Sequence, residues 1–255
     1  MLLRAENLTK RFGGVHAVQA VDLAIATGSV HSIIGPNGAG KTTLLNLLSG
    51  IYRADEGRIA FEENEISSRP AHAFAQAGIA RTFQNLQVFM NMSALENVMA
   101  GRHLHERCGL LAALARTPRL ARAERDCRRL AAGLLEFVGL QAYAGAAADA
   151  LPYGALKRLE VARALAAEPR LLLLDEPAAG LNPSEIRDID RLIQAIAARG
   201  ITVVLVEHNM QLVMGVSDHV LVLDYGRKLA EGAPLAVRHD PRVIEAYLGT
   251  EACST

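Results

Sequence analysis

The chain has 255 residues, and its 27 Lys and Arg balance its 27 Asp and Glu, so the formal net charge is zero. A nucleic-acid-binding protein usually shows a basic excess, and this total shows none. Hydrophobic residues make up 51% of the chain and charged residues 21%, a composition that excludes intrinsic disorder. The mean hydropathy is high at +0.16, yet the longest apolar runs are strand-sized, whereas a membrane helix needs about 20 mostly apolar residues.

The cysteines and the first residues indicate a protein of a reducing compartment. Cys108, Cys127 and Cys253 are an odd number and lack metal-ligand spacing, which favours buried or incidental thiols. The first ten residues, MLLRAENLTK, lack the long apolar stretch of a signal peptide. We therefore expect a protein that is not secreted.

Strand patterns occur at both ends of the chain. Residues 2–8 and 16–26 read as β-strands, and 57–61 reads as another strand after a turn at 54–57. Short runs rich in Val, Ile and Leu suit parallel strands that are buried on both faces; they cover 30–34, 171–174, 201–206 and 219–223.

Helical patterns lie between these strands. In 185–199 an apolar stripe of isoleucines predicts a helix, with Asn182 as N-cap, Pro183 at the first position and Glu185 at the third. A second helix is predicted over 121–138, with one shared face; its members are Cys127, Leu130, Leu134 and Val138. The stretch from about 93 to 150 is rich in Ala and Arg and predicts a mostly helical insertion.

One segment matches the phosphate-binding pattern G-x-x-x-x-G-K-[ST] between a predicted strand and a predicted helix. Its glycines let backbone N–H groups approach phosphate oxygens, and the helix N-terminus adds partial positive charge. Lys41 is expected to reach the β- and γ-phosphates and Thr42 to bind Mg²⁺. The predicted nucleotide contacts are Gly35, Pro36, Asn37, Gly38, Ala39, Gly40, Lys41, Thr42 and Thr43.

Such a loop needs a second group to bind the Mg²⁺. Two acidic residues that directly follow the apolar run 171–174 are candidates for this group. Asp175 would emerge at the carboxyl end of a buried strand, where ligands bind in open α/β sheets. We expect Asp175 to be the acidic partner of the metal. Glu176 is placed to accept a proton from the water that attacks the γ-phosphate.

With these motifs the sequence resembles an ATP-binding cassette (ABC) ATPase along nearly its whole length. Phe12 matches the aromatic residue that stacks on adenine, and Gln84 matches the glutamine that touches the metal and reports to a membrane partner. Gly154 belongs to the signature loop ahead of a helix, residues 179–182 match the loop that crosses the dimer interface, and His208 matches the histidine that senses the γ-phosphate.

A closer resemblance is to the ATPase subunits of branched-chain amino acid importers. Four stretches carry it: 11–14, 81–84, 176–183 and 240–249. The implied activity is ATP hydrolysis coupled to uptake of a branched-chain amino acid or a similar small solute. Alternatives are import of urea or amides, lipid transport or export, and a non-transport ABC ATPase. The sequence does not name the solute.

The resemblance implies a P-loop NTPase core of α/β class with a mainly parallel sheet, an N-terminal antiparallel β subdomain and an inserted α-helical subdomain. In one ABC domain over 1–255 the core is expected to take 1–92 and 154–230. The helical subdomain takes 93–153 and the C-terminal tail 231–255.

The signature departs from the common Leu-Ser-Gly-Gly-Gln of the family. Pro152, Tyr153 and Ala155 replace the Ser, the first Gly and the Gln, and Leu156 follows where importers of this type usually have a second Gln. A hydroxyl and an amide that could bind the γ-phosphate are therefore missing. The expected consequence is a weaker closure of the nucleotide sandwich.

The implied partners are a second ABC ATPase subunit, identical or paralogous, and integral membrane permease subunits. An external solute-binding protein is an indirect partner, and no nucleic acid is expected. The protein is expected at the cytoplasmic face of the inner membrane as a peripheral subunit. The apolar, Met-containing segment 85–98 is either core packing or a groove for a short helix of the membrane partner.

Overall fold

A computed structural model describes residues 1–105 and 118–251, and the chain divides into two compact units. The second unit is the continuous segment Thr82–Pro169, and the first unit combines Met1–Arg81 with the chain from Arg170 onward. Of the three cysteines, Cys127 is described and is buried, in agreement with its prediction as a buried thiol. Cys108 and Cys253 lie outside the described residues.

The first unit holds two β-sheets. Their strands are β1 (Leu3–Phe12), β2 (Val15–Ile25), β3 (Val30–Ile34), β4 (Glu56–Phe61), β5 (Asn64–Glu65), β6 (Ile79–Arg81), β7 (Leu171–Asp175), β8 (Thr202–Val206), β9 (His219–Asp224) and β10 (Arg227–Gly232). The order β2-β1-β4-β5 forms an antiparallel sheet. The order β10-β9-β3-β8-β7-β6 forms a sheet that is parallel except for the pairing of β10 with β9.

Burial explains why the central strands are mostly apolar, with only four polar residues among them: His31, Ser32, Asp175 and Thr202. Every residue of β3, β7 and β8 is buried, as expected for parallel strands covered on both faces. One core cluster joins apolar side chains of both sheets with those of the first helix, Lys41–Leu48. The carboxyl ends of β3, β7 and β8 share one edge of the sheet, because these strands run parallel. The residues that follow these strands are therefore neighbours in space.

Nine helices complete the described chain, with short 3₁₀ turns at Gln141–Tyr143 and Ala148–Ala150. In the first unit they are α1 (Lys41–Leu48), α2 (Ala71–Gln76), α6 (Pro183–Ala198), α7 (Met210–Val216), α8 (Pro234–Arg238) and α9 (Pro241–Glu251). In the second unit they are α3 (Ala94–Ala100), α4 (Pro118–Phe137) and α5 (Tyr153–Leu165). Within residues 1–105 and 118–251, none of these helices has the length and apolar character needed to cross a bilayer.

Helix α6 begins as its sequence predicts. The Asn182 side chain accepts the backbone N–H groups of Ser184 and Glu185 at 3.0 and 3.1 Å. The Glu185 carboxylate in return accepts the backbone N–H of Asn182 at 3.0 Å, which completes a capping box. Ile189, Leu192, Ile193 and Ile196 form its buried face.

The second unit is helical in the parts that the structure describes, as predicted for the insertion, but two details differ from the sequence reading. The buried residues of α4 and the turn after it are Cys127, Ala131, Leu135 and Val138, whereas Leu130 and Leu134 are only half-buried. The unit also runs from Thr82 to Pro169, so the predicted boundaries at 93 and 153 lie inside it. Helix α5, which the sequence reading assigned to the core, groups with the other helices.

Candidate active site

The segment between β3 and α1 forms the phosphate-binding loop, and its backbone requires glycine. Gly40 has φ +98°, and a Cβ there would lie 2.2 Å from the carbonyl oxygen of Ala17. Gly35 has φ +149°, and a Cβ would lie 2.1 Å from the carbonyl oxygen of Leu223. Asn37 and Gly38 form the exposed tip of the loop, while Pro36 and Ala39 are buried. The pattern glycines thus place the loop against β2 and β9.

The first turn of α1 has the features of an anion site. Gly40 is its N-cap, so no side chain caps the helix, and the first turn contains no acid. The backbone N–H groups of a helix N-terminus point along the axis and carry partial positive charge. Thr42 is exposed and Thr43 half-buried on this turn. This geometry suits a phosphate group, as the sequence predicts.

Lys41 is the positive charge of the loop and is 6% exposed. Its ammonium donates to the carbonyl oxygens of Gly35 and Pro36 at 2.8 and 2.9 Å. Burial lowers the pKa of Lys41, and the nearby carboxylates of Glu176 and Asp175 oppose that shift. The lysine is therefore held inside the loop and close to the acidic pair.

Asp175 ends β7 and is 2% exposed. Its Oδ2 accepts a hydrogen bond from Arg81 Nη2 at 2.8 Å, and the side chain of Arg81 is 6% exposed, so this is a buried ion pair. Arg81 also donates to Asn46 Oδ1 at 2.5 Å and to Ser49 Oγ at 3.0 Å, both around the end of α1. The guanidinium links the strand that carries Asp175 to the helix that begins with Lys41. Arg81 lies in the stretch 81–84 that carries the resemblance, but the sequence predicted no role for it.

Glu176 and His208 are brought together, although 31 residues separate them in the chain. His208 Nε2 lies 2.9 Å from Glu176 Oε1, and the two side chains are 45% and 15% exposed. Glu176 has φ +49°, in the left-handed region, where a non-glycine residue stores roughly 1–3 kcal/mol of strain. Its backbone N–H donates to the carbonyl oxygen of Val206 at 2.9 Å, which ties it to the end of β8.

Glu207 is a further buried acid of this site that the sequence reading missed. It is 3% exposed and directly precedes His208. Its carboxylate accepts the backbone N–H of Ala178 at 2.7 Å and that of His208 at 2.9 Å. The available signal was an acid directly after the mostly apolar strand β8, where a buried charge requires partners.

Phe12 is the last residue of β1 and is 45% exposed, so its side chain is not part of the core. Its ring meets the ring of Tyr52 edge to face with centroids 5.3 Å apart, and Lys10 Nζ lies 5.6 Å from its centroid. Tyr52 is 37% exposed and was not singled out in the sequence. The exposed aromatic face suits the predicted contact with a base.

Gln84 and Gly154 belong to the second unit. Lys157 Nζ lies 3.5 Å from the backbone oxygen of Gln84, and the buried Glu160 accepts the backbone N–H of Phe83 at 3.2 Å. Burial raises the pKa of Glu160, whereas hydrogen bonds from the backbone N–H groups of Phe83 and Gln87 oppose that shift. Lys157 and Glu160 are both on α5, so this helix fixes the backbone around Gln84.

Gly154 lies in the first turn of α5 and is buried, whereas Tyr153 beside it is 46% exposed. Ala155 and Leu156, the departures from the family pattern, are 3% and 8% exposed. Both side chains are therefore buried. Replacing Ala155 by Gln would place a larger, polar side chain at a buried position, which is expected to destabilise the fold.

The apolar segment before α3 is largely at the surface of the second unit. Phe89 and Met90 are 47% and 42% exposed, and Phe83 is 36% exposed. The Phe89 ring stacks on Arg163, whose guanidinium carbon lies 5.4 Å from the ring centroid. The segment was predicted to be either core packing or a groove for a partner helix. The exposure of Phe89 and Met90 excludes core packing for these two side chains.

A parallel sheet whose strand leads into a glycine-lined phosphate loop, with an acidic pair after a second strand, defines a P-loop nucleotide-binding protein. Residues 18–179 match the family model described as ABC transporter, and 227–253 match that of the branched-chain amino acid ATP-binding cassette transporter. The chain belongs to the ABC transporter family.

Individual relatives agree with this assignment. The chain is 46% identical to the high-affinity branched-chain amino acid transport ATP-binding protein BraF of Pseudomonas aeruginosa, over 97% of this chain and 98% of the relative. It is 42% identical to the corresponding protein LivG of Salmonella typhimurium with the same coverage. A crystal structure of an ATP-binding cassette of an ABC transporter in its ADP conformation superposes with a TM-score of 0.85, at 35% identity, over 97% of this chain and 98% of that one.

These comparisons confirm the predicted family, the fold class and the enzyme class, an ATPase of the transporter type with a nucleotide as its ligand. They also confirm the closer resemblance to ATP-binding proteins of branched-chain amino acid transport. The roles of single residues stay predictions.

Proposed function

We propose that this chain is the ATP-hydrolysing subunit of an importer for branched-chain amino acids. The observation that carries the proposal is the contact of 2.9 Å between Glu176 and His208 beside the phosphate loop, in a chain 46% identical to a branched-chain amino acid transport protein. The names of the relatives favour this solute over urea, amides or lipids. A role outside transport has no such support.

Residues of this chain bind the nucleotide and activate the water that attacks it. The glycine-lined loop and the first turn of α1 bind the phosphates, with Lys41 as the positive charge. Phe12 stacks on the base. Glu176 takes a proton from the attacking water, and His208 orients the Glu176 carboxylate through their 2.9 Å contact.

The residues present fit a Mg²⁺ ion. This cation prefers oxygen ligands and is commonly held by one or two carboxylates together with substrate phosphates. Asp175 provides a carboxylate at the end of β7, and Thr42 provides a hydroxyl on the first turn of α1. Gln84 is the third proposed contact, as the family resemblance implies. When bound, the ion neutralises charge on the β- and γ-phosphates.

Turnover is proposed to need two ATPase subunits. The start of α5 at Gly154 has no capping side chain, so its N-terminus can face the γ-phosphate of a nucleotide on a second subunit. Residues 179–182, which end at the N-cap of α6, are proposed to cross that interface. The partner is an identical or a paralogous subunit.

The surface formed by Phe83, Phe89 and Met90 is proposed to receive a short helix of the permease. Aromatic and methionine side chains suit such docking, because they adapt to a partner's shape. This contact would hold the chain at the cytoplasmic face of the inner membrane. An external solute-binding protein would act through the permease, and no nucleic acid takes part.

The test is co-expression of the chain with the genes that neighbour it, followed by purification from membranes. We expect permease subunits to co-purify, and a branched-chain amino acid to raise the ATP turnover of the reconstituted complex. Replacing both Phe89 and Met90 by Ser should remove the permease without changing ATP binding. ATP turnover that responds to urea or to a lipid instead would contradict the proposed solute.

A further inference from the structure

Glu207 joins the two loops that carry Glu176 and His208. Its Oε1 accepts the backbone N–H of Ala178 at 2.7 Å, in the loop that follows β7. Its Oε2 accepts the backbone N–H groups of His208 and Asn209 at 2.9 and 3.3 Å, in the loop that follows β8. A single side chain, 3% exposed, therefore fixes the backbone of both loops relative to each other.

The contacts of Glu207 require a carboxylate. Three backbone donors converge on it, and an ionised carboxylate presents two oxygens that only accept. A glutamine would present one accepting oxygen and one NH₂ group, so it would direct a donor at one of the two loops. Hydrogen bonds to an ionised acceptor are also shorter and stronger than neutral ones.

The two loops need this restraint because the Glu176 backbone is strained. Its φ of +49° lies in the left-handed region, and a non-glycine residue stays there only when its surroundings over-determine it. The backbone N–H of Glu176 is held by Val206, and Glu207 holds Ala178 two residues further on. In the other loop the Asn209 side chain caps α7 by accepting the N–H of Leu212 at 3.0 Å.

From this geometry we propose that Glu207 is a positioning residue for ATP hydrolysis. It keeps the Glu176 carboxylate within hydrogen-bond reach of His208, and it acts through the backbone of the two loops. The inference rests on the proposed role of Glu176 in hydrolysis. It predicts an effect on turnover that is separate from nucleotide binding, because the phosphate loop and α1 carry the binding contacts.

The test is Glu207→Gln in the full chain, with Asp218→Asn as the matched control. Asp218 is an exposed residue whose carboxylate accepts a backbone N–H, that of Val30 at 2.8 Å, at the amino end of β3. We expect Glu207→Gln to lower kcat at least tenfold, because small misplacements of reacting groups cost up to about 100-fold. The Kd of MgADP, measured by calorimetry, should change less than threefold, and Asp218→Asn should leave both unchanged.

A double-mutant cycle distinguishes positioning from general destabilisation. If Glu207 acts through His208 and Glu176, Glu207→Gln should slow a His208→Ala chain far less than it slows the unmodified chain. Unchanged kcat, a parallel loss of MgADP affinity, or independent effects in the cycle would each overturn the inference. Should Glu207→Gln not fold, Glu207→Asp, which keeps both accepting oxygens, should show the same split between kcat and Kd. Absence of ATP turnover from the unmodified chain in complex with its co-purified ATPase partner would instead refute the proposed function.

Discussion

Replacing Arg81 by Met should destabilise the first unit by about 3–5 kcal/mol, the usual cost of breaking a buried ion pair by removing one partner. The side chains of Arg81 and Asp175 are 6% and 2% exposed, and their N···O distance is 2.8 Å. The replacement also removes the hydrogen bonds to Asn46 and Ser49. The Asp175 carboxylate would remain buried without the guanidinium that offsets its charge.

Thermal unfolding followed by circular dichroism measures this loss. For a chain of this length the midpoint should fall by on the order of 10 °C. Arg191→Met is the control, because Arg191 pairs with Asp188 at 2.5 Å on an exposed face of α6, and surface pairs contribute little, so its midpoint should move by less than about 2 °C.

A double variant tests whether the unpaired buried charge causes the loss of stability. Arg81→Met with Asp175→Leu replaces both charges by apolar groups and should recover much of the lost stability. It should not recover ATP hydrolysis, because the proposed metal ligand is gone. A midpoint for Arg81→Met within about 2 °C of the unmodified chain would refute the buried pair as the connection between β7 and α1.

Two further replacements test the base contact and a buried histidine. Phe12→Ala should weaken ATP binding about two- to twelvefold, since an aromatic stacking contact contributes ~0.5–1.5 kcal/mol; unchanged affinity in calorimetry would exclude stacking. Burial and the neighbouring His219 lower the pKa of His31 below 6.5, opposed by Glu231 and Asp218. His31 therefore binds a proton more readily in the unfolded chain than in the folded one. Its contribution to the free energy of unfolding is complete above about pH 6.5 and declines as the pH falls below that value. Urea unfolding at about pH 7 and pH 5 should show a smaller decline for His31→Gln, and equal declines would contradict this.

The sequence predicted those elements whose signals are local. The runs rich in Val, Ile and Leu that became β3, β7, β8 and β9 were recognised to within one residue, because strands buried on both faces are mostly apolar. The start of α6 was predicted because its cap residues are adjacent in the chain. The three-residue strand β6 was not predicted, since its existence depends on pairing with β7, which is distant in the sequence.

The buried face of α4 shows the limit of reading a pattern. Leu130 and Leu134 form one stripe of the helix, and Ala131 and Leu135 form the next. Periodicity allows either stripe to be buried, and packing against α3 and α5 decides between them. Ala131 was not part of the predicted face but is fully buried.

In the candidate site, motifs predicted the residues proposed to touch the nucleotide, and the residues that hold them were missed. Lys41, Asp175 and Glu176 occur in recognisable local patterns. Arg81 and Glu207 act through contacts with residues that are distant in the chain, 94 and 29 positions away in the pairs with Asp175 and Ala178. Such contacts follow from the sheet order, which a single sequence does not specify.

The most direct test of the central claim is the steady-state ATP turnover of Glu176→Gln in the full chain. If Glu176 accepts the proton of the attacking water, turnover should fall about 10²- to 10⁴-fold. ATP binding should persist, and sedimentation should show a dimer trapped by ATP. Glu231→Gln, the same change at an exposed position of β10, should hydrolyse ATP normally. Steady-state turnover of Glu176→Gln equal to that of the unmodified chain would contradict the account.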